Sequence, residues 1–444
     1  MLTERNVLLT GDQINSTVKV AEALENEPRA VASIDRGRWV VRLLWVGIAC
    51  SVVGMRLSTA FGWDARDYLS AIRHYEAYID GNASASLPYS PLFMIPTAGV
   101  ARLLPLWLTI TVFCLAYISG WLVQLRVGMQ FANADERKIL RYVAPVIAFF
   151  PGLLVADTFV SGNMAYILYG LMLASAAWGW KRGRWEWFYL AVLASACVKV
   201  QLLTMLAIPL LCGRRQFLKS VGAGTIGLAL YALQSRIWPQ AFHTYVNTLQ
   251  RMSQSRRDFG CGPAGNLARA LQSFGMSYEK PCTLFYLGYA CVLFLVLLSL
   301  SRLYREKRVS FESWGPVMLI GVVMLNPRIL TYDVAAISLP MALVAWRALR
   351  DVSRNRGLVF AGTAVALLCL NIFIGVNEAT VVPDEYVEMF LLLGIFACGV
   401  RCLLKEAGEL SPSGERFGAE SFSVESYMSE TELPLTLAHQ EREL

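Results

Sequence analysis

Apolar residues in this chain fall into blocks of roughly 15 to 25, divided by short polar or basic stretches. A block of that length is what a helix needs to cross ~30 Å of hydrocarbon. The pattern predicts about twelve spans, near 39–61, 105–126, 141–160, 163–180, 185–198, 200–212, 216–236, 283–303, 311–326, 329–348, 357–376 and 386–404. The expected fold class is all-α: a polytopic transmembrane helical bundle. Three parts are expected along the chain. Residues 1–38 form a polar cytoplasmic segment, 39–404 the membrane domain, and 405–444 an acidic, Ser- and Glu-rich disordered tail.

Two stretches break the simple pattern. Residues 88–104 open Pro88-Tyr89-Ser90-Pro91 and are only marginally long enough to cross. Counted as a span, they would reverse every loop that follows, so they are expected to form an interfacial or re-entrant helix. The blocks 185–198 and 200–212 are short and are read as two spans rather than one kinked helix.

Basic residues then decide the orientation. Arg36 and Arg38, Arg126 to Arg141, Lys181 to Arg184, Arg214 to Lys219, Arg302 to Arg308 and Arg347 to Arg356 all fall on one side of this count. The positive-inside rule makes that side cytoplasmic, with both termini inside. The first loop, 62–90, is then on the outer face, as are the Ser161-Gly162-Asn163 turn, Lys199, the loop 237–282 and the Asn326-Pro327-Arg328 turn.

Composition agrees with a membrane domain and excludes other classes. Hydrophobic residues make up 56% of the 444 and charged residues 16%, against about a quarter charged in soluble domains. The net charge of +7 resides in the inner loops and is not a nucleic-acid footprint. There is no Rossmann or P-loop glycine pattern and no Cys-x-x-Cys or His-rich metal motif, so no cofactor and no obligatory metal are expected. Of the ten cysteines, Cys261 and Cys282 share one outer polar loop. They are expected to form a disulfide on the oxidising face.

Carboxylates and cations on the outer face carry the candidate chemistry. Asp64 lies in Gly62-Trp63-Asp64-Ala65-Arg66-Asp67-Tyr68 directly after the first apolar block. A carboxylate there faces water, a partner or a substrate, because lipid is a costly neighbour for it. It is the candidate general base, with Asp67 one helical turn away as the alternative. Lys199 sits among Val198, Val200, Leu202 and Leu203, where an ammonium is costly without an anion. Arg256, Arg257 and Arg328 are the other outer cations, suited to phosphate oxygens. Tyr68, Tyr89, Asn163 and Asn266 are candidate substrate contacts. Interface anchoring by the tyrosines and turn formation by the asparagines are the competing readings.

Several of these residues also form a pattern. Asp64-x-x-x-Tyr68-x-x-Ala71, then Gly81 and Tyr89-Ser90-Pro91-Leu92-Phe93, resembles the first outer loop of GT-C glycosyltransferases. It is most like family 87, the type that uses polyprenyl-phosphate mannose. Ser161-Gly162-Asn163, Lys199 in an apolar run followed by Pro209, and Asn326-Pro327-Arg328-Ile329-Leu330-Thr331-Tyr332-Asp333 follow in the family's order. Gln201 departs from the pattern, standing where the family often has Thr-Pro.

The resemblance implies transfer of a hexose, mannose-like, from a polyprenyl-phosphate-linked donor to a lipid or glycan acceptor, with inversion at the outer face of the cell membrane. Two other functions compete. A lipid-linked glycan transporter or flippase would show inverted repeats and mid-membrane polar residues. An envelope glycan polymerase or ligase would place its decisive residues in the loop 237–282.

Overall fold

The computed structural model describes residues 63–80, 89–137, 161–213, 216–254, 260–352 and 381–409. The predicted spans 39–61, 141–160 and 357–376 lie outside these residues, as do the segment 1–38 and most of the tail. Where the chain is described it is 85% helical and has no strand. Among the described residues, four helices are long and apolar enough to cross a membrane unaided, covering 106–130, 279–305, 332–349 and 386–409.

Residues 63–102 contribute three short helices, α1 (Trp63–Arg73), α2 (Tyr75–Ile79) and α3 (Pro91–Arg102). The last of these, the ambiguous stretch, starts on Pro91 at its first turn and runs for 12 residues. At 1.5 Å per residue it extends about 18 Å, too short to cross. Gln234 anchors its start: the amide oxygen accepts from Ser90 Oγ (2.6 Å) and from the Leu92 backbone N–H (3.1 Å).

After α4 (Leu106–Gln130), α5 (Ala165–Arg182) packs against it along its length. Glycines let the two backbones touch. A Cβ on Gly170 would come within 2.4 Å of Gly120 Cα, and one on Gly120 within 2.3 Å of the Tyr166 carbonyl oxygen. Small residues allow this close approach where lipid gives helices no hydrophobic reason to associate.

The two short blocks form a hairpin. α6 (Glu186–Val198) ends at Lys199, which is extended (φ −138°, ψ 101°). The chain returns through a 3-10 segment (Val200–Leu206) and α7 (Ala207–Cys212). Tyr189, at the start of α6, hydrogen-bonds Gln216 Oε1 at 3.0 Å, just past the end of α7. The two arms are therefore antiparallel, and Lys199 is the tip. Thirteen residues of α6 reach only about 20 Å, so the tip lies within the bundle rather than on its surface.

The remaining elements are α8 (Phe217–Ile237), α9 (Pro239–Gln254), α10 (Pro263–Ser273), α11 (Glu279–Arg305), α12 (Phe311–Met324), α13 (Thr331–Val334), α14 (Ser338–Val352) and α15 (Val381–Glu409). The last helix continues five residues beyond the expected start of the tail at 405. One end of the bundle gathers the basic loops. Tyr304 stacks on Trp314 there (ring centroids 4.4 Å apart), with Trp180 and Phe311 alongside. Arg347 pairs with Glu136, and Arg308 donates to the Ala407 carbonyl. The other end gathers α1, α3, the 161–163 turn, the hairpin tip and the 326–333 turn.

Candidate active site

Asp64 is held from below by the Ser161-Gly162-Asn163 turn. Its backbone N–H donates to the Ser161 carbonyl (3.1 Å), and its Oδ2 accepts from Asn163 Nδ2 (3.0 Å). Gly162 makes the fit possible. Its φ is +72°, and a Cβ there would lie 2.9 Å from the Ala65 side chain; only glycine meets both demands without strain. Asn163 is itself fixed, because its Oδ1 accepts from the Ala165 N–H at the start of α5 (2.9 Å). Burial raises the Asp64 carboxyl above its ordinary value. The Asn163 and Ser161 hydrogen bonds and the Lys199 charge oppose that rise.

Lys199 faces the same space. Its side chain is 7% exposed and its Nζ has no hydrogen-bond partner among the described residues. The ammonium sits 4.0 Å from the Tyr332 ring centroid and 6.0 Å from that of Tyr89. A cation–π contact compensates only part of its lost hydration. Its electrostatic neighbours are Asp333, Arg328 and Asp64. Asp333 is 1% exposed; Oδ2 accepts from the Leu330 N–H (2.9 Å) and Oδ1 has no partner among the described residues. Arg328 is half-buried on the same turn, which Asn326 braces by accepting the Arg328 N–H at 3.0 Å.

Asp64, Asn163, Lys199 and Arg328, drawn from four separate stretches, thus meet at one end of the bundle. The other sequence-derived candidates have different surroundings. Asp67 is exposed. Tyr68 and Tyr89 are buried and hydrogen-bond each other (2.8 Å), and Tyr68 Oη accepts from the Met164 N–H (3.1 Å). Burial raises both phenols, which stay neutral. They tie α1 to α3 and α5.

Asn266 is 2% exposed, and its side chain is used internally, on Cys261 O, Gly262 O and Arg269. It shapes the start of α10. Arg256 and Arg257 lie outside the described residues.

The expected disulfide is not formed: Cys261 and Cys282 both carry free thiols. Cys261 is buried and held to the 326–333 turn, its N–H donating to the Ile329 carbonyl (2.8 Å), whereas Cys282 belongs to the first turn of α11. Helix α10 separates them. Among the described residues no three His, Cys, Asp or Glu side chains gather as metal ligands would.

Sequence reasoning passed over Asp333 and Tyr332. The signal was an aspartate opening an apolar span, where a carboxylate is retained for function or for a buried partner.

The model of glycosyltransferase family 87 matches residues 87–327, more than half of the chain. The chain belongs to glycosyltransferase family 87. This family 87 protein is therefore a membrane glycosyltransferase, and the sugar donor and acceptor are the partners its site must hold. It matches no curated protein and no solved structure. The matched region contains Tyr89, Asn163, Lys199 and the Asn326-Pro327 turn. Asp64 precedes it, so the case for Asp64 rests on the geometry above.

Proposed function

We propose that the protein transfers a mannose-like hexose from a polyprenyl-phosphate donor to a lipid or glycan acceptor, at the outer face of the cell membrane and with inversion. Asp64 takes the proton from the acceptor hydroxyl as its oxygen attacks the anomeric carbon. The bond between that carbon and the phosphate oxygen breaks, and the lipid phosphate leaves with the electron pair. Lys199 and Arg328 hold that phosphate, with Arg256 and Arg257 as further contributors. Both termini are cytoplasmic in this reading.

One observation carries it: a partly buried carboxylate and a buried ammonium without a hydrogen-bond partner among the described residues face one space, with Arg328 beside them. An acid–base group and cations at a developing phosphate are what such a transfer requires. The donor phosphate would supply the hydrogen-bond acceptor that Lys199 lacks among the described residues. The basic loops at the opposite end support the membrane orientation, by the positive-inside rule.

Asp64→Asn keeps the shape and removes the base. Transfer from a radiolabelled polyprenyl-phosphate mannose should fall about a hundredfold or more, with donor binding retained. Near-normal turnover by this variant, with Asp67→Asn inactive, would move the role to Asp67.

A further inference from the structure

The segment that opens α10 is built to hold another part of the chain. Pro263 starts the helix at its first turn, and Asn266 and Arg269, three residues apart, share one face of it. Both are buried, Arg269 to 1% exposure. The Asn266 amide donates back to the Cys261 and Gly262 carbonyls (3.2 and 3.3 Å). Arg269 Nη1 donates to Asn266 Oδ1, and its Nη2 donates to the Gly260 carbonyl (3.3 Å). One guanidinium therefore joins both ends of the stretch 260–266. From α15, Tyr386 Oη donates to the Asn266 carbonyl (3.2 Å), with its ring centroid 5.7 Å from the Arg269 guanidinium.

The stretch so fixed bears on one carbonyl of the 326–333 turn. The Cys261 N–H donates to the Ile329 carbonyl (2.8 Å). Gly260 has a φ of +80°, and a Cβ there would lie 2.2 Å from the same oxygen. Glycine alone lets the two backbones approach so closely. Ile329 is fully buried, directly follows Arg328 and precedes Asp333 by four positions. A buried carbonyl must keep its donor, so this bond fixes the backbone from which the Arg328 side chain departs.

We propose that Arg269 is a positioning residue: through Gly260 and Cys261 it sets the 326–333 turn and so aims Arg328 at the donor phosphate. The inference rests on the donor reading above and adds to it a buried cation that does not itself touch substrate. Lysine would not serve in its place. An ammonium is a point charge, whereas the planar guanidinium fork spans both acceptors.

Full-length protein in lipid nanodiscs would be titrated with polyprenyl-phosphate mannose, as wild type, Arg269→Lys, Arg328→Met and the double variant, with thermal melting alongside. Arg328→Met should raise Kd about tenfold or more, the scale of a lost charge-assisted hydrogen bond. Arg269→Lys should raise it about threefold to tenfold. In the double variant the Arg269 change should add less than about twofold, because the group it aims is gone. A purely structural role would lower the melting temperature in both backgrounds and leave Kd alone.

A wild-type Kd in folded Arg269→Lys, or single effects that multiply in the double variant, would overturn the inference and leave the donor reading standing. A wild-type Kd in Arg328→Met would overturn the role of Arg328, and the inference with it. Should Arg269→Lys fail to fold, Tyr386→Phe removes only the hydroxyl at the far side of the network. Its effect on Kd, about threefold, should likewise vanish in the Arg328→Met background, and an effect that persists there would overturn the inference.

Discussion

Arg347 and Lys199 are both cations held inside the bundle, one at each end, and their surroundings differ completely. Arg347 donates to both Glu136 oxygens (2.9 and 2.7 Å) and to the Glu312 and Phe131 carbonyls (2.6 and 2.8 Å). Its charge is neutralised and its donors are used within the chain. Lys199 has two aromatic faces and no hydrogen bond among the described residues. A buried charge left short of partners costs several kcal/mol unless something supplies them. Folding satisfies the donors of Arg347, whereas Lys199 has Asp333 nearby but no hydrogen-bond acceptor among the described residues, and in the proposed reading the donor phosphate supplies one. That difference separates a structural charge from a functional one on energetic grounds.

Breaking the comparison at the structural end should have the largest effect. Arg347→Met takes the Arg347 charge away from Glu136, which is 8% exposed. Stability should drop by about 3–5 kcal/mol, measured by chemical or thermal unfolding in detergent. The double variant Arg347→Met/Glu136→Leu should recover most of the loss, since apolar replacement of a whole buried pair is often near neutral. A small loss in the single variant would mean that Arg347 is no better satisfied than Lys199.

The same chemical change at the other end should give a weaker effect on stability and a larger one on function. Lys199→Met removes a desolvated charge that makes no hydrogen bond among the described residues, but it takes that charge away from buried Asp333, so any loss of stability should be smaller than that of Arg347→Met. Transfer should fall about a hundredfold, the scale of losing a preorganised charge at a developing anion, with weaker donor binding. Destabilisation as large as that of Arg347→Met would make Lys199 a structural residue.

Much of this asymmetry was legible in the sequence, because a membrane leaves polar residues few places to stand. Helices at 106–130, 165–182, 217–237 and 279–305 lie within a few residues of the predicted blocks. Lys199 was visible as a lysine inside an apolar run, and Pro91 marked the start of a helix too short to cross. Pairings between distant segments were not legible. Nothing local to Tyr68 announces Tyr89 as its partner, and nothing near Cys261 announces Ile329, 68 positions on. The disulfide expectation failed for that reason: it used proximity in one loop, while Cys261 is held by another turn. Asp333 was quoted within a motif yet given no role, since its meaning depends on Lys199 lying beside it in space.

The finest test of the functional end concerns the carboxylate. Asp64 works as a base only when ionised, and burial already raises it, so activity should be lost on acidification at a higher pH than an ordinary carboxylate would give. The Asn163 amide opposes that rise by donating to the ionised form. Asn163→Asp keeps an oxygen that can accept from the Ala165 N–H, and so keeps the start of α5, but replaces the donor with a like charge. The folded-state value of Asp64 should then rise further. The acid limb of the kcat/KM profile should move to higher pH, while turnover on the alkaline plateau stays within about tenfold of wild type, the direct loss being one hydrogen bond. An acid limb that stays in place would show that the rate does not follow ionisation of Asp64, and the base would have to be sought elsewhere in the first loop.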